Sequence, residues 1–244
     1  MIAGGVMGWA LRVGLTDAQE VCMSSSVLSR RCFVGISLGA VLALPSLGAE
    51  GKKRAEVKWG EWESWFDGKT MKGWKQTEYA AGGDVKVEDR GIHIAMGEEL
   101  SGFSRVGDVP REGYELELEV MRKSGADFPC GLTFPVGKEC VTFVVGGWGG
   151  GVVGLSSIND QDASGNETTK FEPIKDNVWY AVKVRVLPDE IAGYLNGKEM
   201  FSFDPRGKKL SMRRGEIELC MPVGIATFRT ESVVRSVRVR RVAK

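Results

Sequence analysis

Residues Tyr114 to Val120 read Tyr-Glu-Leu-Glu-Leu-Glu-Val, switching between apolar and acidic at nearly every step. A period of two puts successive side chains on opposite faces of an extended chain, so this segment is a strand with one apolar face and three glutamates on the other. Val182-Lys183-Val184-Arg185-Val186 and Ser236-Val237-Arg238-Val239-Arg240 repeat the pattern with cations in place of anions. Opposite charges directly across a strand pair contribute roughly 0.2–1 kcal/mol each, and like charges cost a similar amount. The Glu115–Glu119 strand is therefore expected beside the terminal strand or beside the Val182–Val186 strand.

Shorter runs of the same kind occur at 85–87, 92–95, 132–134, 141–145, 152–155, 191–195, 217–219 and 225–228. Asn196-Gly197 supplies the dipeptide that suits a two-residue hairpin turn, because both positions tolerate positive φ. It predicts a hairpin between the 191–195 and 199–203 strands. No long stretch carries a helical period with caps, and no repeat or low-complexity linker divides the chain. These features predict an all-β fold, an antiparallel two-sheet sandwich.

The first 49 residues read differently. Ser29-Arg30-Arg31-Cys32-Phe33-Val34 resembles a twin-arginine signal, and the apolar run from Phe33 to Leu44 is shorter than the ~20 residues needed to span a bilayer. Leu47-Gly48-Ala49 offers a cleavage site, which predicts a signal peptide over 1–49 with Met23 as an alternative start. A general secretory leader and an uncleaved anchor remain open. The expected order is leader, N-terminal tail over 50–62, and one sandwich domain over 63–244, in the periplasm or secreted. Loss of Arg12, Arg30, Arg31, Asp17 and Glu20 with the leader leaves 30 of 33 basic and 30 of 32 acidic residues. A formally neutral mature chain argues against a nucleic-acid partner or an anionic membrane surface, and no transmembrane segment is expected in it. Cys130, Cys140 and Cys220 remain. Three is an odd number without metal-binding spacing, and they are expected to be small buried hydrophobes.

One stretch breaks the alternation. Gly146 to Gly151 holds five glycines around Trp148, and a polar segment follows with Ser156, Asn159, Asp160, Asp162, Asn166, Glu167 and Thr168. Glycine allows positive φ and close approach of a ligand. An indole among carboxylates, amides and hydroxyls suits a sugar, whose ring has apolar faces and polar edges. A bulged strand followed by a polar surface loop explains the same composition. Asp160 to Gly165 resembles half of a calcium loop, yet Phe171 stands where its closing glutamate belongs. A looser divalent metal site stays open, and no cofactor is certain. Asp127 is expected on a neighbouring loop. His93, the only histidine, alternates with Ile92 and Ile94 and so faces solvent or a groove floor.

Phe66-Asp67-Gly68-Lys69-Thr70-Met71-Lys72-Gly73-Trp74 resembles the opening motif of the 3-keto-disaccharide hydrolase domain family. The resemblance continues through Val87-Glu88-Asp89, Tyr114 to Glu119, Trp179-Tyr180 and Leu195-Asn196-Gly197 to the closing Val237–Val242 strand. It implies a concanavalin A-like or laminin G-like jelly roll. It also implies cleavage or hydration of glycosides oxidised at C3, through a base at C2, an electrophile or metal at the keto oxygen, and an acid for the leaving group. Two motifs depart from the pattern. Pro129-Cys130-Gly131 stands where many members have Asn-Ser-Gly, and Ala226-Thr227-Phe228 stands where many have Gln-x-His. On this reading Asp160 or Asp162 is the base, Glu167 the acid, and Trp148 the platform, with Asp127, Ser156, Asn159 and Asn166 as substrate ligands. A non-catalytic lectin-like module and a structural envelope domain are the alternatives.

Overall fold

A computed structural model describes residues 56–243. The expected leader over 1–49 and the first residues of the tail lie outside the described residues. Fifteen strands form among those described. They are β1 (Glu63–Ser64), β2 (Trp74–Gln76), β3 (Val85–Glu88), β4 (Gly91–Ile94), β5 (Leu100–Arg105), β6 (Tyr114–Gly125), β7 (Cys130–Val136) and β8 (Glu139–Gly146). They continue as β9 (Val152–Ser156), β10 (Lys170–Phe171), β11 (Trp179–Leu187), β12 (Glu190–Leu195), β13 (Lys198–Phe203), β14 (Gly224–Phe228) and β15 (Thr230–Arg241). All pairings between them are antiparallel, and they make two sheets. One runs β13-β12-β11-β6-β15-β4-β3 with β1 on β15; the other runs β10-β9-β8-β7-β14-β5-β2. The two-sheet sandwich expected from the alternation is present.

The core lies between the inward rows of the two sheets. Phe103, Ile225, Leu132, Phe143 and Leu155 align across five strands of one sheet and are fully buried. Ile92, Val234 and Val120 do the same in the other, with Tyr180 beside them. Removing such side chains from water stabilises the fold by about 1.5–3 kcal/mol each, before the entropy of ordering the chain is counted.

The charged strands meet as expected, on both sides. Glu115, Glu117 and Glu119 of β6 face Arg240, Arg238 and Arg235 of β15; Glu115 and Glu117 also face Arg185 and Lys183 of β11. Between Arg235 and Arg238 the terminal strand gains one residue, a bulge with Ser236 at φ 56°. The extra residue brings all three arginines to the outer face, which strict alternation would not do. Glu115 is wholly buried among them, accepting from Arg185 Nε at 2.8 Å and Arg240 Nε at 2.7 Å. Trp59 lies over Arg185 and Arg240, Trp62 over Arg238 and Arg240, and Trp179 over Arg235 at 3.8 Å. Trp179 thus belongs to this outer face, and its neighbour Tyr180 to the core. Trp59 also bridges Val242, so pairing begins within the segment expected as tail.

Three further details refine the sequence reading. Asn196 and Gly197 both take positive φ and close the β12–β13 hairpin as expected. Cys130 faces Val145 and Cys140 faces Pro135, so the β7–β8 hairpin keeps the two thiols apart; all three described cysteines are free and buried. Burial pushes the Cys130 thiol up to about 12. The run at 217–219 is not a strand. Residues Glu216–Cys220 form a 3-10 turn that drops Cys220 onto the sheet and half-buries Ile217, while Leu219 is left exposed, so the apolar spacing of 217–219 does not mark a buried face.

Candidate functional site

The outward row beside the inner core of the β2–β10 sheet is made of small residues. Ser104, Gly224, Thr133, Thr142 and Ser156 align across five strands. The chain between β13 and β14 folds back over them. A Cβ on Gly224 would fall 2.5 Å from the Cys220 Cβ, Cys220 Sγ sits 3.1 Å from Thr133 Oγ1, and Thr142 Oγ1 reaches Met212 Sδ at 3.5 Å. Further along the same face Ala226 packs with Tyr79, Leu100 and Cys220, and Phe228 stacks on Phe128 at 5.9 Å. The two positions where many relatives carry Gln and His, Ala226 and Phe228, are therefore filled by a small hydrophobic cluster. This face of the sheet offers no open floor there.

What stays open is the edge of that cover. A groove of about 750 Å³ runs between the β7–β8 turn, the loop after β9 and residues 209–221. Asp160, Asp162, Lys209, Arg213 and Arg214 supply charge, and the buried Cys140 and Met212 supply the apolar part of the wall. Lys209 Nζ holds Asp160 at 2.7 Å, and Arg213 Nη1 lies 3.5 Å from Asp162 Oδ2. Arg214 has no hydrogen-bond or ion-pair partner among the described residues, so its guanidinium is available to a ligand.

Trp148 sits beside this groove. Gly147–Gly150 form a single helical turn in which Trp148 and Gly149 take left-handed φ of 49° and 85°. The Asp127 carboxylate fixes that turn, accepting from the N–H of Gly149 at 3.0 Å and from the N–H of Phe128 at 2.8 Å. The indole is left 42% exposed, and the Arg213 guanidinium lies 5.7 Å from its ring centre. Arg213 thereby joins the indole to Asp162. A flat apolar face and hydrogen-bonding groups of both signs come together, which is the combination a sugar ring needs.

The other residues expected at the site serve the loop itself. Asn166 Nδ2 donates to the carbonyls of Leu155, Gln161 and Asp162 at 2.7, 3.0 and 2.8 Å, while its Oδ1 accepts from Thr168 N and Oγ1. Thr168 Oγ1 in turn accepts from Leu155 N at 2.8 Å. This clamp ties the polar loop to β9 and uses both ends of the Asn166 amide. Asn159 Oδ1 accepts from the N–H of Lys209, Ser156 Oγ is buried against Ser157 Oγ, and Glu167 pairs with Lys208. Asp127, Ser156, Asn159, Asn166 and Glu167 are not among the side chains lining the groove. Asp162 also caps its own turn, accepting from Ser164 N and Oγ. Among the described residues no group of three or more His, Cys, Asp or Glu is placed to hold a metal ion. The donor set thus does not fit a divalent cation. His93 lies across the molecule's other sheet, half-buried in a separate groove.

Arg213, Arg214 and Lys209 were not singled out by the sequence. They lie in a polar connection without periodicity, where no local pattern marks them.

Two antiparallel sheets with a polar groove at the edge of one define a jelly-roll sandwich protein, and its carbohydrate relation comes with the family. The chain belongs to the 3-keto-alpha-glucoside-1,2-lyase-like domain family, whose model matches residues 61–239. Among solved structures, a galectin-like fold protein from Bacillus subtilis is similar at a TM-score of 0.50 and 11% identity, covering 71% of this chain and 92% of its own. Carbohydrate binding module CBM66 from Bacillus subtilis gives 0.47 and 14%, covering 68% and 93%. A glycosyl hydrolase from Parabacteroides distasonis, assigned as such only provisionally, gives 0.48 and 15%, covering 75% and 94%. Among curated proteins no sequence matches the chain. No helix of the described residues is long and apolar enough to cross a membrane.

Proposed function

We propose that this is an exported carbohydrate-active protein that cleaves or hydrates 3-keto-glycosides in the groove beside Trp148. The observation that carries the reading is the Arg213 guanidinium, set between the indole and Asp162. Trp148 is the platform for one face of the sugar. Asp162, or Asp160 on the same loop, takes the C2 proton, which the neighbouring ketone makes acidic. Arg213 or Arg214 stabilises the negative charge that then develops on the keto oxygen. The C1–O bond breaks, the departing oxygen takes up a proton, and the resulting enone accepts water. Asp127 and Asn166 position the two loops, and Glu167, held by Lys208, is the more distant acid. No step is routed through a metal.

The test is turnover of 3-keto-glucosides by the mature protein. Cleavage is expected to be unchanged by EDTA and lost in Asp162→Asn and Arg213→Ala, both with native melting curves. A correctly folded protein that turns over no 3-keto-glycoside would overturn the enzymatic reading. The second reading is a non-catalytic glycan-binding module. It is favoured by the 68% exposure of the Asp160 side chain, since an acid–base group is usually better enclosed. Glycan binding without turnover, lost in Trp148→Ala, would establish it. Export is tested by finding the processed chain outside the cytoplasm.

A further inference from the structure

A second groove, of about 680 Å³, lies on the outer face of the β3–β13 sheet. Its floor is a register-aligned row, His93 on β4, Val233 on β15, Met121 on β6 and Trp179 on β11. Two of its carboxylates are already engaged. Asp67 accepts from Lys69 N, Thr70 N and Thr70 Oγ1, and Glu119 accepts from Arg235 Nε at 3.0 Å and Nη2 at 3.3 Å. The side chains of Arg90, His93 and Lys123 have no hydrogen-bond or ion-pair partner among the described residues; the remaining carboxylate without one is Asp89. Free donors thus outnumber free acceptors around a floor of apolar side chains and a tryptophan ring stacked with the Arg235 guanidinium, which also lines the groove.

We propose that this groove is a second carbohydrate subsite, selective for an acidic sugar whose carboxylate is held by Arg90 and Lys123. His93 donates to a ring hydroxyl and Trp179 walls the apolar side.

The chain has one histidine, so a protein labelled in histidine gives one imidazole Cε1–H signal without assignment. Titration of the full chain with D-glucuronate is expected to move that signal saturably, while D-glucose moves it little. Arg90→Ala and Lys123→Ala, at exposed positions where folding is not at stake, are each expected to weaken binding about tenfold or more. Trp148→Ala leaves it unchanged, which separates this subsite from the groove beside Trp148. The proposal is overturned if glucuronate produces no saturable shift, if glucose produces the same one, or if the double variant binds like the parent. Inorganic sulfate binding as tightly as glucuronate would overturn the assignment to a sugar, because the ring would then contribute nothing.

Discussion

The guanidinium carbon of Arg213 lies 5.7 Å from the centre of the Trp148 ring, although 65 positions separate the two in sequence. The indole belongs to a glycine-rich turn after β8 and the arginine to the long connection before β14. Their meeting gives the glycine stretch a chemical neighbour that a bulge in a strand would lack.

Trp148→Ala removes the stacking face and Arg213→Ala removes its cation. Each is expected to weaken glycan affinity about three- to tenfold, the range of one cation–π or stacking contact. Their combined effect is expected to fall short of additive, since the two groups act on one another. Calorimetric titration of the parent, the singles and the double variant gives the coupling directly; strict additivity would separate the pair.

Asn166→Ala leaves the Leu155, Gln161 and Asp162 carbonyls without their shared donor and Thr168 without its acceptor. A loss of about 2–3 kcal/mol in stability is expected from orphaned, partly buried polar groups. Urea denaturation measures it. Binding is expected to suffer too, because Asp160 and Asp162 sit on the loop that Asn166 clamps.

Glu115 has no exposed surface and serves cations from two neighbouring strands. Glu115→Ala takes the close anion from Arg240 and leaves Arg185 only Glu190 at 3.8 Å, and is expected to cost about 3–5 kcal/mol. Glu115→Gln keeps the shape and one acceptor and should cost less. Equal melting temperatures for parent and Glu115→Ala would show that the outer face is held by the tryptophans alone.

Glu63 on β1 is held below the ordinary glutamate value of 4.5, chiefly by its hydrogen bond with Arg241 on β15. A depressed folded-state value means that the carboxylate stabilises the fold above the unfolded value, and that this contribution is lost as pH falls through the folded one. Glu63→Gln is therefore expected to melt below the parent at pH 7, with the two curves converging as pH falls below the folded-state value. A gap that persisted there would assign the effect to something other than ionisation.

The sandwich was legible because alternation is a local property. Each of Leu116, Leu118 and Val120 needs only its own strand to say which way it points. Even the neighbours of β6 could be read, since three glutamates in a row restrict which strands can lie alongside. β5 was missed because Leu-Ser-Gly-Phe-Ser-Arg carries small polar residues on the side that the β13–β14 connection covers. The run at 217–219 was misread because Ile-Glu-Leu alternates like a strand, although in the 3-10 turn Ile217 is half-buried and Leu219 exposed.

The sequence by itself determined two apolar faces, their strands, the charge complementarity of the outer sheet and the family. It also marked Trp148 and the acidic loop as chemically unusual. Only the tertiary structure decided which of those polar groups are free to meet a ligand. Asn166 and Asp127 carry the chemistry of ligands, yet their atoms are spent on carbonyls and N–H groups that the fold brings to them. Arg213 carries no local signal and ends beside the indole. The physical reason is that hydrogen-bonding capacity is fixed by residue type, whereas the partner that consumes it is supplied by loops distant in sequence. Backbone polar groups in a curved loop take the nearest side chain, and what remains unpaired at the surface is set by that competition.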